Sequence, residues 1–142
     1  MQPGTNNSSP IGRSQRILLG DDDESFRHLL AEVLEAEGFE VIEAENRKRA
    51  VEIYRQRAAE IGWVVFDMSK SRPSAEDALA IVRELNASAK VLLLTGNSKL
   101  DAVEAALHKG FNGFVPKPFT VAELLAPLRT LAKVDDCAAL TA

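Results

Sequence analysis

The chain has 142 residues, 46% hydrophobic and 27% charged, which suits one soluble domain with a full core. It excludes a collagen-like chain, a wholly disordered chain and a disulfide-stapled miniprotein. Seventeen Lys and Arg against 21 Asp and Glu leave a net charge of −4, without the basic footprint of a nucleic-acid binder. The densest positive cluster, Arg47-Lys48-Arg49, reads as a solvated helix face. A single cysteine, Cys137, cannot form an internal disulfide and points to a reducing, cytoplasmic setting. No apolar run approaches the roughly 20 residues needed to span a bilayer, and the N-terminus lacks a signal-peptide core.

In chain order, residues 1–14 carry Pro, Gly, Asn and Ser with little apolar content and are expected to form a disordered arm. Residues 15–133 are read as one domain and 134–142 as a flexible tail. Arg16 to Gly20 is a short apolar run suited to a strand buried on both faces. Phe26, Leu29, Leu30, Val33 and Leu34 then recur at helical spacing, and Gly38 supplies a stop. Glu40 to Ala44 reads as a second strand, and residues 46–59 as a helix with Val51, Tyr54 and Ala58 inward. Gly62 to Asp67 is the third strand. Residues 75–86 form a third helix through Ala78, Ile81, Val82 and Leu85. Lys90 to Thr95 is a fourth strand, followed by a helix through Leu100, Val103 and Leu107. Gly113 to Val115 is a short fifth strand, and Val121, Leu124, Leu125, Leu128 and Leu131 line a fifth helix interrupted by Pro127.

Five strands alternating with five helices predict an α/β fold, with a parallel sheet covered on both faces. Ligands of such folds bind outside the carboxyl ends of the strands. Asp21, Asp22, Asp23 and Glu24 lie at one such end, Asp67 at another, Thr95 and Gly96 at a third, and Pro116-Lys117-Pro118 at the last. Converging carboxylates repel one another, and a hard divalent cation such as Mg²⁺ relieves the repulsion through oxygen ligands. A hydroxyl and an ammonium beside that ion complete a cradle for a phosphoryl group. Asp23 and Glu24 also read as acids favoured at a helix N-terminus. His28 and His108 lack metal-like spacing, and Trp63 reads as packing.

Four segments carry a family likeness: Ile17-Leu-Leu-Gly-Asp-Asp-Asp23, Val64-Val-Phe-Asp67, Val91-Leu-Leu-Leu-Thr-Gly96 and Gly110-Phe-Asn-Gly-Phe-Val-Pro-Lys-Pro-Phe119. With these, the chain resembles the receiver domain of two-component response regulators over residues 16 to about 132. The resemblance implies a doubly wound, flavodoxin-like fold with strand order 2-1-3-4-5. It implies Asp67 as phosphoacceptor, Asp22 as a direct Mg²⁺ ligand and Asp21 as a ligand through water. The Ser69 carbonyl would be a further metal ligand. Thr95 and Lys117 would contact the phosphoryl group, and Phe114 would switch rotamer with Thr95. The Lys117–Pro118 peptide would be cis.

Two departures from the family pattern stand out. Gly20 replaces a branched apolar residue, predicting lost packing at the end of the first strand. The segment Met68 to Ala75 lacks the family's glycine and carries its proline late, so an irregular metal loop is expected, with Lys70 or Arg72 over Asp67 in the absence of metal. The implied function is a phosphoaccepting receiver that catalyses only its own phosphoryl transfer and dephosphorylation. Its expected donor is a sensor histidine kinase or phosphotransfer protein. Output is expected through protein contacts or homodimerisation on the face of the fourth helix, fifth strand and fifth helix, roughly Ser98 to Lys133. No direct nucleic-acid or membrane partner is expected. About ten residues follow the last helix, which is too few for an output domain. A degenerate receiver acting as a phosphorylation-independent interaction module is the alternative. An aspartyl phosphohydrolase is disfavoured because Ser69 stands where a second acid is needed.

Overall fold

The computed structural model describes residues 15–67, 73–95 and 110–129. In chain order it contains β1 (Arg16–Gly20), α1 (Glu24–Ala36), β2 (Glu40–Ala44), α2 (Arg47–Arg57), a 3-10 turn (Ala58–Glu60), β3 (Trp63–Asp67), α3 (Ala75–Leu85), β4 (Lys90–Thr95) and β5 (Gly113–Pro116). A closing helix runs over 121–129. The strands form one parallel sheet in the order β2-β1-β3-β4-β5. Four α-helices are present among the described residues, not five. The helix expected through Leu100, Val103 and Leu107 lies outside the described residues, as do the N-terminal arm and the C-terminal tail.

Side chains alternate across a strand, so each strand feeds two cores. Leu18, Val64, Phe66, Val91 and Leu93 pack with Tyr54 of α2 and Leu79 and Val82 of α3. On the other face, Ile17, Leu19, Val65, Leu92 and Leu94 pack with Leu30 and Leu34 of α1 and with Leu124, Leu125 and Leu128 of the closing helix. The inner strands are buried on both faces and therefore read as continuous apolar runs. Pro127 lies on the closing helix, which is nonetheless helical on both sides of it.

Helix ends carry the caps their residues favour. The side chains of Asp23, Asn46 and Ser74 accept from the N–H groups of Phe26, Arg49 and Asp77. Thr120 and Glu123 exchange reciprocal bonds before the closing helix, a capping box. Gly38, at φ +99°, ends α1 in a left-handed conformation, with its N–H bonded to the Glu35 carbonyl. These caps set where each helix starts or stops relative to the strand ends.

One residue of the expected α1 stripe faces out. Leu29 is 58% exposed and lines an apolar groove with Phe26, Val33, Phe119 and Val121. The groove lies between α1 and the closing helix and has one wall made by the Lys117–Pro118 segment.

Candidate functional site at the carboxyl edge of the sheet

β1 and β3 are adjacent and parallel, with Gly20 level with Phe66. The residues that follow, Asp21 and Asp22, therefore meet Asp67 at the same sheet edge. One carboxylate oxygen from each of Asp21, Asp22 and Asp67 lies within 4.8 Å of the others. Asp21 and Asp67 are buried and Asp22 is exposed. The turn out of β1 is held by its own groups. The Asp23 N–H donates to Asp21 Oδ1 at 3.0 Å, and Arg27 donates to the Asp21 carbonyl at 2.8 Å. Asp23 itself caps α1 through Oδ1, 3.1 Å from the Phe26 nitrogen, so it faces the helix and not the cluster.

Lys117 arrives from β5. Its backbone N–H donates to the Thr95 carbonyl at 2.6 Å, continuing the β4–β5 ladder by one residue. Its ammonium is in hydrogen-bonding contact with Asp67 Oδ1 and lies 4.3 Å from the centre of the Phe26 ring. Phe26 meets Phe119 edge to face at 6.3 Å, so the ring that faces the ammonium is itself held by a second ring. The Lys117–Pro118 peptide is cis. Thr95 is buried at the end of β4, whose neighbouring residue Leu94 is level with Asp67. Phe114 is half-buried on β5, level with Leu93, against the core of the α2 and α3 face.

Asp21 carries the clearest electrostatic mark. Burial pushes its carboxyl above the ordinary aspartate range, and repulsion from Asp67 and Asp22 adds to the shift. The bond from the Asp23 N–H and the field of Lys117 oppose it. Its Oδ2 is buried without a hydrogen-bond partner among the described residues. A buried, unsatisfied carboxylate oxygen beside two further carboxylates is the donor set a hard cation takes up, with water filling the remaining positions.

Arg47 belongs to this site and not to a solvated face. It is 3% exposed, bonds the Asp67 carbonyl through Nη1 and bonds the Pro73 carbonyl through Nε at 2.8 Å. Its position after β2, at the carboxyl edge, was the available signal. A triply basic run hides it, because Lys48 and Arg49 are exposed.

The end of β1 also differs from expectation, since Gly20 does not leave a gap. A Cβ built there would stand 2.9 Å from the Ala50 Cβ, so α2 has moved into the space that a side chain would occupy. Ser69, Lys70, Arg72 and Gly96 lie outside the described residues, as do residues 98–109 and 130–133 of the expected Ser98 to Lys133 contact face. The placement of Lys70 and Arg72 over Asp67 therefore goes without a structural account. Asp67 has Lys117 beside its carboxylate and Arg47 on its carbonyl.

Fold and sheet order define a flavodoxin-like α/β protein with an acidic pocket where the strand order reverses. The model of the response regulator receiver domain matches residues 17–129, and the chain belongs to that family. It is 33% identical over 107 residues to the chemotaxis protein CheY of Halobacterium salinarum, covering 75% of this chain and 87% of that protein. It is 32% identical over 118 residues to the transcriptional regulatory protein CpxR of Escherichia coli, covering 83% of this chain and 49% of CpxR. The chain thus spans about half the length of the CpxR relatives it matches. Among solved structures, a Burkholderia pseudomallei response regulator with a phosphorylated aspartic acid, a calcium ion and citrate is 29% identical. It superposes with TM-score 0.70 over 89% of this chain and 74% of that one. The CheY of a Borrelia burgdorferi CheX-CheY-BeF3-Mg²⁺ complex is 25% identical, with TM-score 0.75 over 82% of this chain and 87% of that one. No described helix is long and apolar enough to cross a membrane.

Proposed function

We propose that this receiver accepts a phosphoryl group on Asp67 from a histidine kinase or phosphotransfer protein and signals through protein contacts. The contact of the Lys117 ammonium with the Asp67 carboxylate, beside Asp21 and Asp22, carries this reading. The phosphorylated aspartate of the Burkholderia regulator and the BeF3 and Mg²⁺ of the Borrelia CheY complex support it by similarity.

Asp22 and Asp67 would hold Mg²⁺ directly, with the Ser69 carbonyl, and Asp21 would act through water. The Asp21 Oδ2, unpartnered among the described residues, and the all-oxygen donor set fit such an ion. When bound, it neutralises the charge gathering on the phosphoryl oxygens. The chain's own groups do the rest. An Asp67 oxygen forms the new bond to phosphorus as the donor's bond to phosphorus breaks. Lys117 leaves the free carboxylate to balance a phosphoryl oxygen, and Thr95 offers its hydroxyl to another. Phe114 and Thr95 form the switch that carries the change outward. The receiver acts in the cytoplasm and turns over no substrate beyond its own phosphoryl group.

Arg47 favours one second reading, a receiver that binds partners without phosphorylation, because it already places a cation against the acidic cluster. One experiment separates the two. Incubation with a small phosphodonor and Mg²⁺, followed by intact mass, should add one phosphoryl group to the wild type and none to Asp67→Asn. No added mass on the wild type, or undiminished labelling of Asp67→Asn, overturns the phosphoacceptor reading.

A further inference from the structure

Arg47 occupies the first turn of α2, directly after the Asn46 cap, and its guanidinium reaches inward. The two carbonyls it bonds belong to Asp67 and Pro73, the residues on either side of the segment 68–72. One rigid fork therefore ties both ends of the segment that follows the candidate phosphoacceptor. A guanidinium suits this task because its donors are fixed in a plane and it stays charged when buried.

Charge is the second part of the observation. Burial disfavours the charged guanidinium, whereas Asp22, Asp67 and Asp21, in that order, favour it. With Lys117 on Asp67, the three carboxylates face two cations among the described residues, and Arg47 offsets one unit of the negative charge that attracts a divalent ion. Gly20 explains how the arginine gets there. Its missing side chain leaves room for Ala50, one helical turn along α2 from Arg47, so the helix start sits close to the ends of β1 and β3.

We propose that Arg47 is a built-in counter-cation and staple of the acidic pocket, a positioning residue that holds the ends of the 68–72 segment and weakens the pocket's hold on divalent cations. This rests on the reading of Asp22 and Asp67 as metal ligands. The site then has its acids partly balanced when metal is scarce and takes up Mg²⁺ only at higher concentration than the same pocket without Arg47 would require.

The test is calorimetric titration of the full chain with MgCl₂, with thermal unfolding in EDTA and in saturating Mg²⁺. Arg47→Gln removes the charge and is expected to bind Mg²⁺ about tenfold more tightly, as befits one unit charge removed from a partly screened site. It should melt below wild type in EDTA and gain more from Mg²⁺ than wild type does. Arg47→Lys keeps the charge but not the fork, so its Mg²⁺ affinity should stay within about threefold of wild type while its midpoint falls. Should Arg47→Gln be unfolded in EDTA, refolding on addition of Mg²⁺ supports the proposal. So does recovery of the fold in the double variant Asp22→Asn with Arg47→Gln. Failure of both overturns it. Equal or weaker Mg²⁺ binding by Arg47→Gln, with wild type binding normally, overturns the role of Arg47 alone. Absence of Mg²⁺ binding in every variant overturns the metal reading and this proposal together. Binding by Arg47→Gln where wild type shows none supports both.

Discussion

Gly20 and Ala50 face each other so closely that a methyl group on the first would lie 2.9 Å from the methyl of the second. The contact joins the end of β1 to the first turns of α2, with the Phe66 ring 3.4 Å away on the third side. All three belong to a core without exposed apolar surface at this point, since Ala50 and Phe66 are fully buried.

Gly20→Ala should therefore destabilise the fold, by about 1–3 kcal/mol, the usual cost of overpacking a filled core. Chemical denaturation measures this directly. An unchanged or raised midpoint would mean that α2 yields freely. Because α2 carries Arg47, the same variant should also alter Mg²⁺ affinity, whereas an alanine elsewhere on β1 should not.

Asp22 and Asp23 are neighbours with opposite expected behaviour. Asp22→Ala should weaken Mg²⁺ binding by at least about tenfold, since even outer-shell partners of metal sites are worth that much. Asp23→Ala should leave Mg²⁺ affinity nearly unchanged. Its cost should fall on stability, about 0.5–2 kcal/mol, because its Oδ1 caps α1 at the Phe26 N–H. Titration and denaturation of the pair give the comparison, and an exchange of the two effects would reverse the assignment.

Asp21 makes stability depend on pH in a defined direction. Its folded carboxyl holds a proton more tightly than the unfolded one, whose ordinary value is 3.8. The folded state thus binds more protons between that value and the raised one, so metal-free stability from this group falls as pH climbs through the window. Asp21→Asn should flatten that part of the profile and raise the midpoint of unfolding near neutral pH in EDTA. At a pH below the unfolded value the two proteins should differ little. Thermal unfolding across pH 3 to 7 reads the effect, and a wild-type profile no steeper than that of Asp21→Asn would count against it.

Phe114 and Thr95 should respond together to a phosphoryl mimic. Thr95 is buried at the end of β4 and Phe114 is half-buried on β5 beside it. Drawing the Thr95 hydroxyl toward a group on Asp67 frees space that the Phe114 ring can enter. Aromatic side-chain NMR with and without beryllofluoride and Mg²⁺ should show a shifted Phe114 environment in wild type and a reduced shift in Thr95→Ala. Identical Phe114 signals in both states of the wild type would exclude the coupling.

The strands were readable because burial on both faces removes ambiguity. Arg16–Gly20 and Lys90–Thr95 appear with the bounds expected from their apolar runs, and the edge strand Glu40–Ala44 also has its expected bounds although only Ala44 in it is buried. The ends of the strands named Asp21, Asp22, Asp67, Thr95 and Lys117, because chemistry on a parallel sheet gathers at one edge. Arg47 escaped for a physical reason. An arginine is ordinarily exposed, and the carbonyls that bury this one come from residues 20 and 26 positions away, a proximity that only tertiary structure creates. Leu29 failed in the opposite sense. Helical spacing put it inward, but Leu29 lines the open groove between α1 and the closing helix and meets solvent there.

The order of strands also decides what the sheet can join. Its margins are β2 and β5. Along β2, Glu40 and Glu43 stand at the rim and are engaged by Arg16 and by Arg27 with His28. An incoming strand would have to lie against charged, already paired side chains, which is how natural edges discourage extension. At the other margin β5 runs only four residues and ends in Pro116, which has no N–H to donate. Among the described residues neither border offers a long, flat template, so extension of the sheet by a strand from a second copy of this chain is disfavoured at both margins.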